Sequence, residues 1–256
     1  MRVITISSFK GGTAKTSTSL HIGAALAKHH KQKVLLIDFD AQANLTSGLG
    51  YDPDAHDSLA PVLQRRKTLQ EVILKTSIPN LFLIPADTWL ERIEVTEALA
   101  GDRYSHERLK ELLKSLKGFD TVIIDTPPSL CWLTESALIA SEFALVTATP
   151  EFYSVKGLQR LSQFLTSISE RHTLDVLGIV LSFWNPRGKS NEAFIDVIEE
   201  TFPGKMLKAK VRRDISVSEA SVHGKSVFET APSSRAAEDY KTLAKELLKR
   251  LQKCPK

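Results

Sequence analysis

The chain has 256 residues, with 34 Lys+Arg against 30 Asp+Glu, a formal charge of +4, 42% hydrophobic and 25% charged residues. These values sit near the globular average and exclude a disordered, collagen-like or low-complexity chain. Two cysteines are too few for a disulfide framework, which points to a reducing cytosol; no apolar run reaches the roughly 18 residues that span a bilayer, and the N-terminus does not read as a secretory signal.

Val3-Ile4-Thr5-Ile6 reads as a strand, followed by a Gly-containing turn and a helix through His30. Further short apolar runs follow at Val34–Ile37, Leu81–Ile84, Thr121–Ile124, Phe143–Val146 and Val176–Phe183. Residues 50–80 are the least strand-like stretch and are expected to form short helices. Amphipathic helical patterns, such as Leu109, Leu112, Leu113 and Leu116, lie between most of the runs. Strands that are apolar throughout and alternate with helices predict an α/β fold: a doubly wound, mostly parallel sheet with helices on both faces. With no internal repeat and no Ser/Gly linker, the whole chain 1–256 is expected to be a single domain.

The first strand leads into Lys10-Gly11-Gly12-Thr13-Ala14-Lys15-Thr16-Ser17 and then a helix, the context of a phosphate-binding loop. In such a loop, backbone N–H groups at the helix start would point at an anion, glycines would let the backbone approach, Lys15 would reach the β- and γ-phosphates and Thr16 would hold Mg²⁺; the alternative is a Gly-bearing βα turn with a surface lysine. The strict G-x-x-x-x-G-K-[ST] pattern is not met, because Ala14 stands at its second glycine. Asp38-Phe39-Asp40 closes the second run, and Asp125 with Pro127-Pro128 closes the fourth.

Lys10-Gly11-Gly12-x-x-Lys15-Thr16 resembles the deviant Walker A loop of the ParA/MinD superfamily of ATPases, with Lys10 matching its extra lysine. The segment from Asp38 through Gln42, Asn44 and Thr46 to Gly50 resembles ParA-type members, as does Val122–Ser129, a Walker B element. Pro150-Glu151-Phe152-Tyr153, Ser218-Glu219-Ala220 and Gly224-Lys225 add to the likeness. With Met1 at the first strand, no separate N-terminal DNA-reading domain is expected. The resemblance implies a P-loop NTPase fold and an ATPase that uses ATP and Mg²⁺. It implies Asp40 as the water-activating carboxylate and Thr16, Asp38 and Asp125 near the metal. It assigns Lys10 through Ser17 and Asn185, with Pro186, to the nucleotide. Lys10 is implied to reach a partner's ATP across a sandwich homodimer. Ala14 replaces the family's usual glycine, so ATP affinity is expected to be weak to moderate.

The charge is uneven. Residues 203–256 carry 13 Lys+Arg and 6 Asp+Glu, net +7, on a body of net −3. Lys205, Lys208, Lys210, Arg212 and Arg213 lie within nine residues. By charge alone this is a solvated face or a patch for phosphate or anionic lipid. The resemblance implies non-specific DNA binding in a cytoplasmic, nucleoid-associated dimer, with Lys208, Lys210, Arg212, Arg213, Lys225 and Arg235 as candidates. It also implies a ParB-type centromere-binding partner and a role in chromosome or plasmid partition. Ser216 departs from the arginine of many chromosomal relatives. A MinD-like membrane role is the alternative. It would use the stripe Tyr240, Leu243, Ala244, Leu247, Leu248 and Leu251 on lipid. That stripe is instead expected to pack on the sheet, because aromatic anchors are scarce.

Overall fold

The structure is a computed structural model, and it describes residues 1–8, 10–95, 105–150, 154–188 and 191–254. Eight strands form one sheet in the order β3-β4-β2-β5-β1-β6-β7-β8. They are β1 (Arg2–Ser7), β2 (Val34–Asp38), β3 (Leu74–Lys75), β4 (Leu81–Ile84), β5 (Thr121–Asp125), β6 (Phe143–Ala148), β7 (Asp175–Trp184) and β8 (Met206–Arg212). All neighbours pair in parallel except β3 with β4.

The apolar strands read as continuous runs because both faces of the sheet are covered. Successive residues point to opposite sides. Ile4, Ile6, Leu36, Ile123 and Leu145 face a core shared with α1 (Lys15–His30). Val3, Leu35, Ile37, Val122 and Ile124 face the other side. There they meet α3 (Leu59–Leu63), α4 (Trp89–Val95), α5 (Arg108–Lys114) and α6 (Trp132–Ile139). A third core, between β6 and β7 and the helices α7 (Ser154–Ser169) and α8 (Asn191–Thr201), completes that side.

Between residues 50 and 80 the expected short helices are α3 and a 3₁₀ turn at Leu69–Val72, and the two-residue β3 is added to them. The basic segment 206–212 is itself a strand. Leu207, Ala209 and Val211 are buried, and Lys208, Lys210 and Arg212 occupy the alternate, more exposed positions. Short helices α9 (Ile215–Val222) and α10 (Val227–Thr230) then lead to α11 (Arg235–Lys253). Tyr240, Leu243, Ala244, Leu247 and Leu251 of α11 are buried against β8 and α1. The stripe that could have lain on lipid is therefore interior.

As the outermost strand, β8 has N–H groups that no further strand can accept. Helix α11 supplies acceptors instead. Glu246 accepts from Lys208 N (3.0 Å) and Ala209 N (2.8 Å), and Asp239 accepts from Arg212 N (2.9 Å). Arg250 donates to the carbonyls of Leu177, Lys205 and Met206 at 2.8–3.1 Å.

Candidate functional site

In an open parallel sheet, ligands sit beyond the carboxyl ends of the strands. Here Ser8, Asp38, Asp40 and Asp125 end or follow β1, β2 and β5, which pair side by side with Asp38 opposite Asp125. The loop from Lys10 to Ala14 joins β1 to α1. Gly12 has φ 76° and Ala14 φ 64°, so the loop turns through left-handed conformations at two positions. Ala14 is the N-cap residue of α1 and no side chain caps the helix. Its first-turn N–H groups, those of Lys15, Thr16 and Ser17 among them, have no intrahelical acceptor and face the loop.

Hydroxyls and backbone fix the loop. Thr13 Oγ1 lies 3.0 Å from Thr147 Oγ1 and 3.3 Å from the Lys10 carbonyl, and Ser8 Oγ donates to that carbonyl at 2.9 Å. Lys15 is buried and donates from Nζ to Ser8 Oγ at 3.1 Å. Burial lowers its pKa, while Asp125 and Asp40 act to raise it. Lys10, Gly11 and Gly12 are exposed.

The carboxylates are held by hydroxyls and amides. Asp125 accepts from Thr16 Oγ1 (2.7 Å) and Ser19 Oγ (2.8 Å). Asp38 accepts from Thr46 N (2.8 Å), Thr46 Oγ1 (2.7 Å) and Asp40 N (3.2 Å). Asp40 accepts from Gln42 N (3.0 Å). Burial, with Asp125 adding to it, pushes Asp38 up to about 7. Burial pushes Asp125 up to about 6 against the hydrogen bonds from Thr16 and Ser19 and the charge of Lys15. Two desolvated carboxylates that raise each other's cost are what a hard divalent cation relieves. Thr16 adds a neutral oxygen. Among the described residues no group of three or more His, Cys, Asp and Glu could hold a metal. Two carboxylates and a hydroxyl suit a hard cation that takes its remaining oxygens from phosphate and water, as Mg²⁺ does.

Beside the loop lies a cavity of about 590 Å³ lined by Gly12, Thr149, Phe183, Asn185, Arg213 and others. Asn185 is exposed there, its Oδ1 accepting from Arg187 N (3.1 Å). Arg212 and Arg235, expected on a DNA face, also line this cavity. Arg212, expected on the DNA face, is engaged within the chain. Its guanidinium is held by Asp239 (2.6 Å and 2.9 Å) and by Glu238 (3.4 Å). Lys210 Nζ sits 3.8 Å from the centre of the Trp184 ring, Arg213 lies over Phe183, and Arg235 pairs with Asp214 at 3.8 Å. Lys208 and Lys225 are exposed, on β8 and at the corner between α9 and α10. Of the six candidates, Lys208, Arg213, Lys225 and Arg235 are exposed, and Lys210 and Arg212 are half-buried. Ser216 is buried at the start of α9. Glu151, Phe152 and Tyr153 lie outside the described residues. Sequence reasoning missed Ser8, Ser19 and Thr46, the hydroxyls that hold Lys15, Asp125 and Asp38.

A left-handed loop opening an uncapped helix, a buried lysine and strand-end carboxylates define a P-loop nucleotide-binding protein. Residues 1–177 match the family model described as an AAA domain. A ParA family protein of Chlamydia pneumoniae is 68% identical over 249 residues, 97% of this chain and 98% of that protein. The sporulation initiation inhibitor protein Soj of Bacillus subtilis is 35% identical over 250 residues, 96% of this chain and 98% of that protein. The septum site-determining protein MinD of Pyrococcus horikoshii, solved in complex with Mg-ADP, superposes with a TM-score of 0.80 at 28% identity, covering 98% of this chain and 97% of that one. The chain belongs to the ParA family of ATPases. Among the described residues no helix is long and apolar enough to cross a membrane.

Proposed function

We propose that this chain is a single-domain, Mg²⁺-dependent ATPase that dimerises around ATP, binds DNA without sequence preference and drives chromosome or plasmid partition with a ParB-type partner. It acts in the cytoplasm on the nucleoid. The observation that carries the reading is the convergence of Lys15, Thr16, Asp38, Asp40 and Asp125 at the ends of three adjacent strands.

Lys15, with the N–H groups from Gly11 to Ser17, holds the phosphates of ATP. Mg²⁺, when bound, neutralises phosphate charge, and Thr16, Asp38 and Asp125 are the residues to hold it or its waters. Asp40 orients and activates the attacking water. It is the least buried of the three carboxylates, at 8% exposure. Asn185 reads the base. Lys10 reaches the partner's nucleotide, and its exposure favours that role. DNA is bound through phosphate contacts, so binding falls steeply with salt. Lys208, Arg213 and Lys225 are the stronger candidates for it, because Arg212 is committed to Asp239. The burial of the α11 stripe speaks against a lipid-lying helix.

The test is phosphate release by the wild type and Asp40→Ala, with and without random duplex DNA. Loss of turnover in the variant is expected, and equal activity in the two proteins refutes the mechanism. Lys10→Ala is expected to stay monomeric on gel filtration in ATP; dimerisation like the wild type's removes Lys10 from the interface.

A further inference from the structure

The segment after α2 (Asn44–Gly48) and the turn after α9 meet backbone to backbone. Gly50 has φ 83° and Gly224 φ 62°. A Cβ on Gly224 would stand 2.4 Å from Gly50 Cα and 2.8 Å from its N, and one on Gly50 would stand 3.2 Å from the Gly224 carbonyl oxygen. Close-packed contacts of this kind transmit displacement instead of absorbing it.

Each side of the contact leads to the nucleotide site. Thr46, in α2, holds Asp38 through two hydrogen bonds. Leu49, next to Gly50, is anchored in the core. On the other side, the turn closes α9 through Gly224 N to Ser221 O (3.1 Å) and Lys225 N to Ala220 O (3.0 Å). The far end of α9 is capped by Asp214, whose Oδ1 accepts from Ser216 N at 3.1 Å. Asp214 also pairs with Arg235, and Arg213 beside it lines the cavity next to the phosphate loop. One end of α9 therefore adjoins that cavity, and the other is pressed against the segment that carries Asp38's partner.

We infer that the Gly50–Gly224 contact is a positioning joint that ties the Asp38 side of the site to α9, so that nucleotide occupancy sets the α9–α10 corner and its exposed Lys225. The inference rests on the reading of this site as an ATP site and is independent of whether the partner is DNA.

Amide hydrogen exchange on the full chain tests it, with and without Mg²⁺ and a non-hydrolysable ATP analogue. In the wild type the nucleotide slows exchange both at 44–48 and at 215–226, by about tenfold or more. Gly50→Ala pushes a methyl onto the Gly224 carbonyl. It is expected to bind the analogue within about threefold of wild type and to keep protection at 44–48. Its nucleotide effect at 215–226 is expected to disappear. Gly204→Ala is the control: Gly204 has φ 67° and nothing within 4 Å of a Cβ, so the variant shares the backbone strain without the contact and keeps the wild-type response. A single glycine inserted after Gly224 loosens the joint without adding a Cβ, and decides the matter if Gly50→Ala does not fold. Full protection of 215–226 in Gly50→Ala or in the glycine insertion overturns the joint, and so does wild-type protection confined to 44–48. Equal loss in Gly204→Ala reduces the effect to backbone strain and also overturns it. No response to the analogue anywhere in the wild type refutes the ATP reading itself.

Discussion

His21 lies in the middle of α1, fully buried, with its ring tilted against Tyr240 at 4.8 Å between centroids. Neither ring nitrogen has a hydrogen-bonding partner among the described residues. Burial holds its pKa down to about 3, against about 6.5 in an unfolded chain. The folded protein thus keeps the ring neutral while the unfolded chain takes up a proton, and stability falls as pH drops below about 6.5. At about pH 5 the gap corresponds to roughly 2 kcal/mol lost relative to neutral pH, about 1.4 kcal/mol for each pH unit in this range. Asp38 and Asp125 work in the opposite sense. Their raised pKa values favour the folded state increasingly as pH falls through about 7 and about 6 towards the ordinary carboxylate range near 4. His21→Leu separates the contributions, because both proteins share the carboxylates. Urea melts of the two proteins in nucleotide-free buffer, near pH 7.5 and again at about pH 5, give the double difference. The advantage of the leucine variant over wild type should grow by about 2 kcal/mol between the two. Parallel pH profiles, with the difference constant to about 0.5 kcal/mol, refute the claim that His21 is an unpaired neutral base in the folded core.

Ala14→Gly relieves a left-handed alanine and should raise stability by about 0.5–1 kcal/mol net of glycine's unfolded-state entropy. It should also tighten nucleotide binding measured by titration; unaltered affinity makes the departure from glycine neutral. Asp125→Asn removes a charge whose burial is costly, so the nucleotide-free protein should melt higher while Mg²⁺ no longer strengthens nucleotide binding in calorimetry. Arg212→Ala strands the buried carboxylate of Asp239 and should cost about 1–2 kcal/mol in a urea melt, discounted because Arg212 is about one-third exposed (32%). Its effect on DNA retention should be smaller than that of Lys208→Ala.

Six of the eight strands were legible because a strand buried on both faces leaves a run such as Val34–Ile37 that needs no partner to recognise. The two edge strands were not. β3 is two residues long. β8 has period-two alternation, but its lysines and arginine read as a charged patch when the helix covering its other face is not in view. The same distinction governs the site. Lys15, Thr16 and the strand-end aspartates stand in contiguous motifs. Ser8 and Ser19 are ordinary residues in sequence, and Thr46 stands in the ParA-like run without a role of its own; all three act where the fold brings their hydroxyls within about 3 Å of charged groups. Ser19 left one faint signal, its place one helical turn beyond Lys15. The location of Arg212 depended wholly on Asp239, 27 residues away.

The capping of β8 by Glu246 and Asp239 has a consequence for how this chain can meet copies of itself. An uncovered outer strand is a template onto which another molecule can add its own backbone, and such zippers tend towards fibres. Here the helix carboxylates already occupy the amides that an incoming strand would need, and the opposite margin of the sheet offers only two residues. Crowding many copies onto one surface therefore leaves their sheets separate, and any association among them stays in the hands of side chains and ligand, where it can be undone.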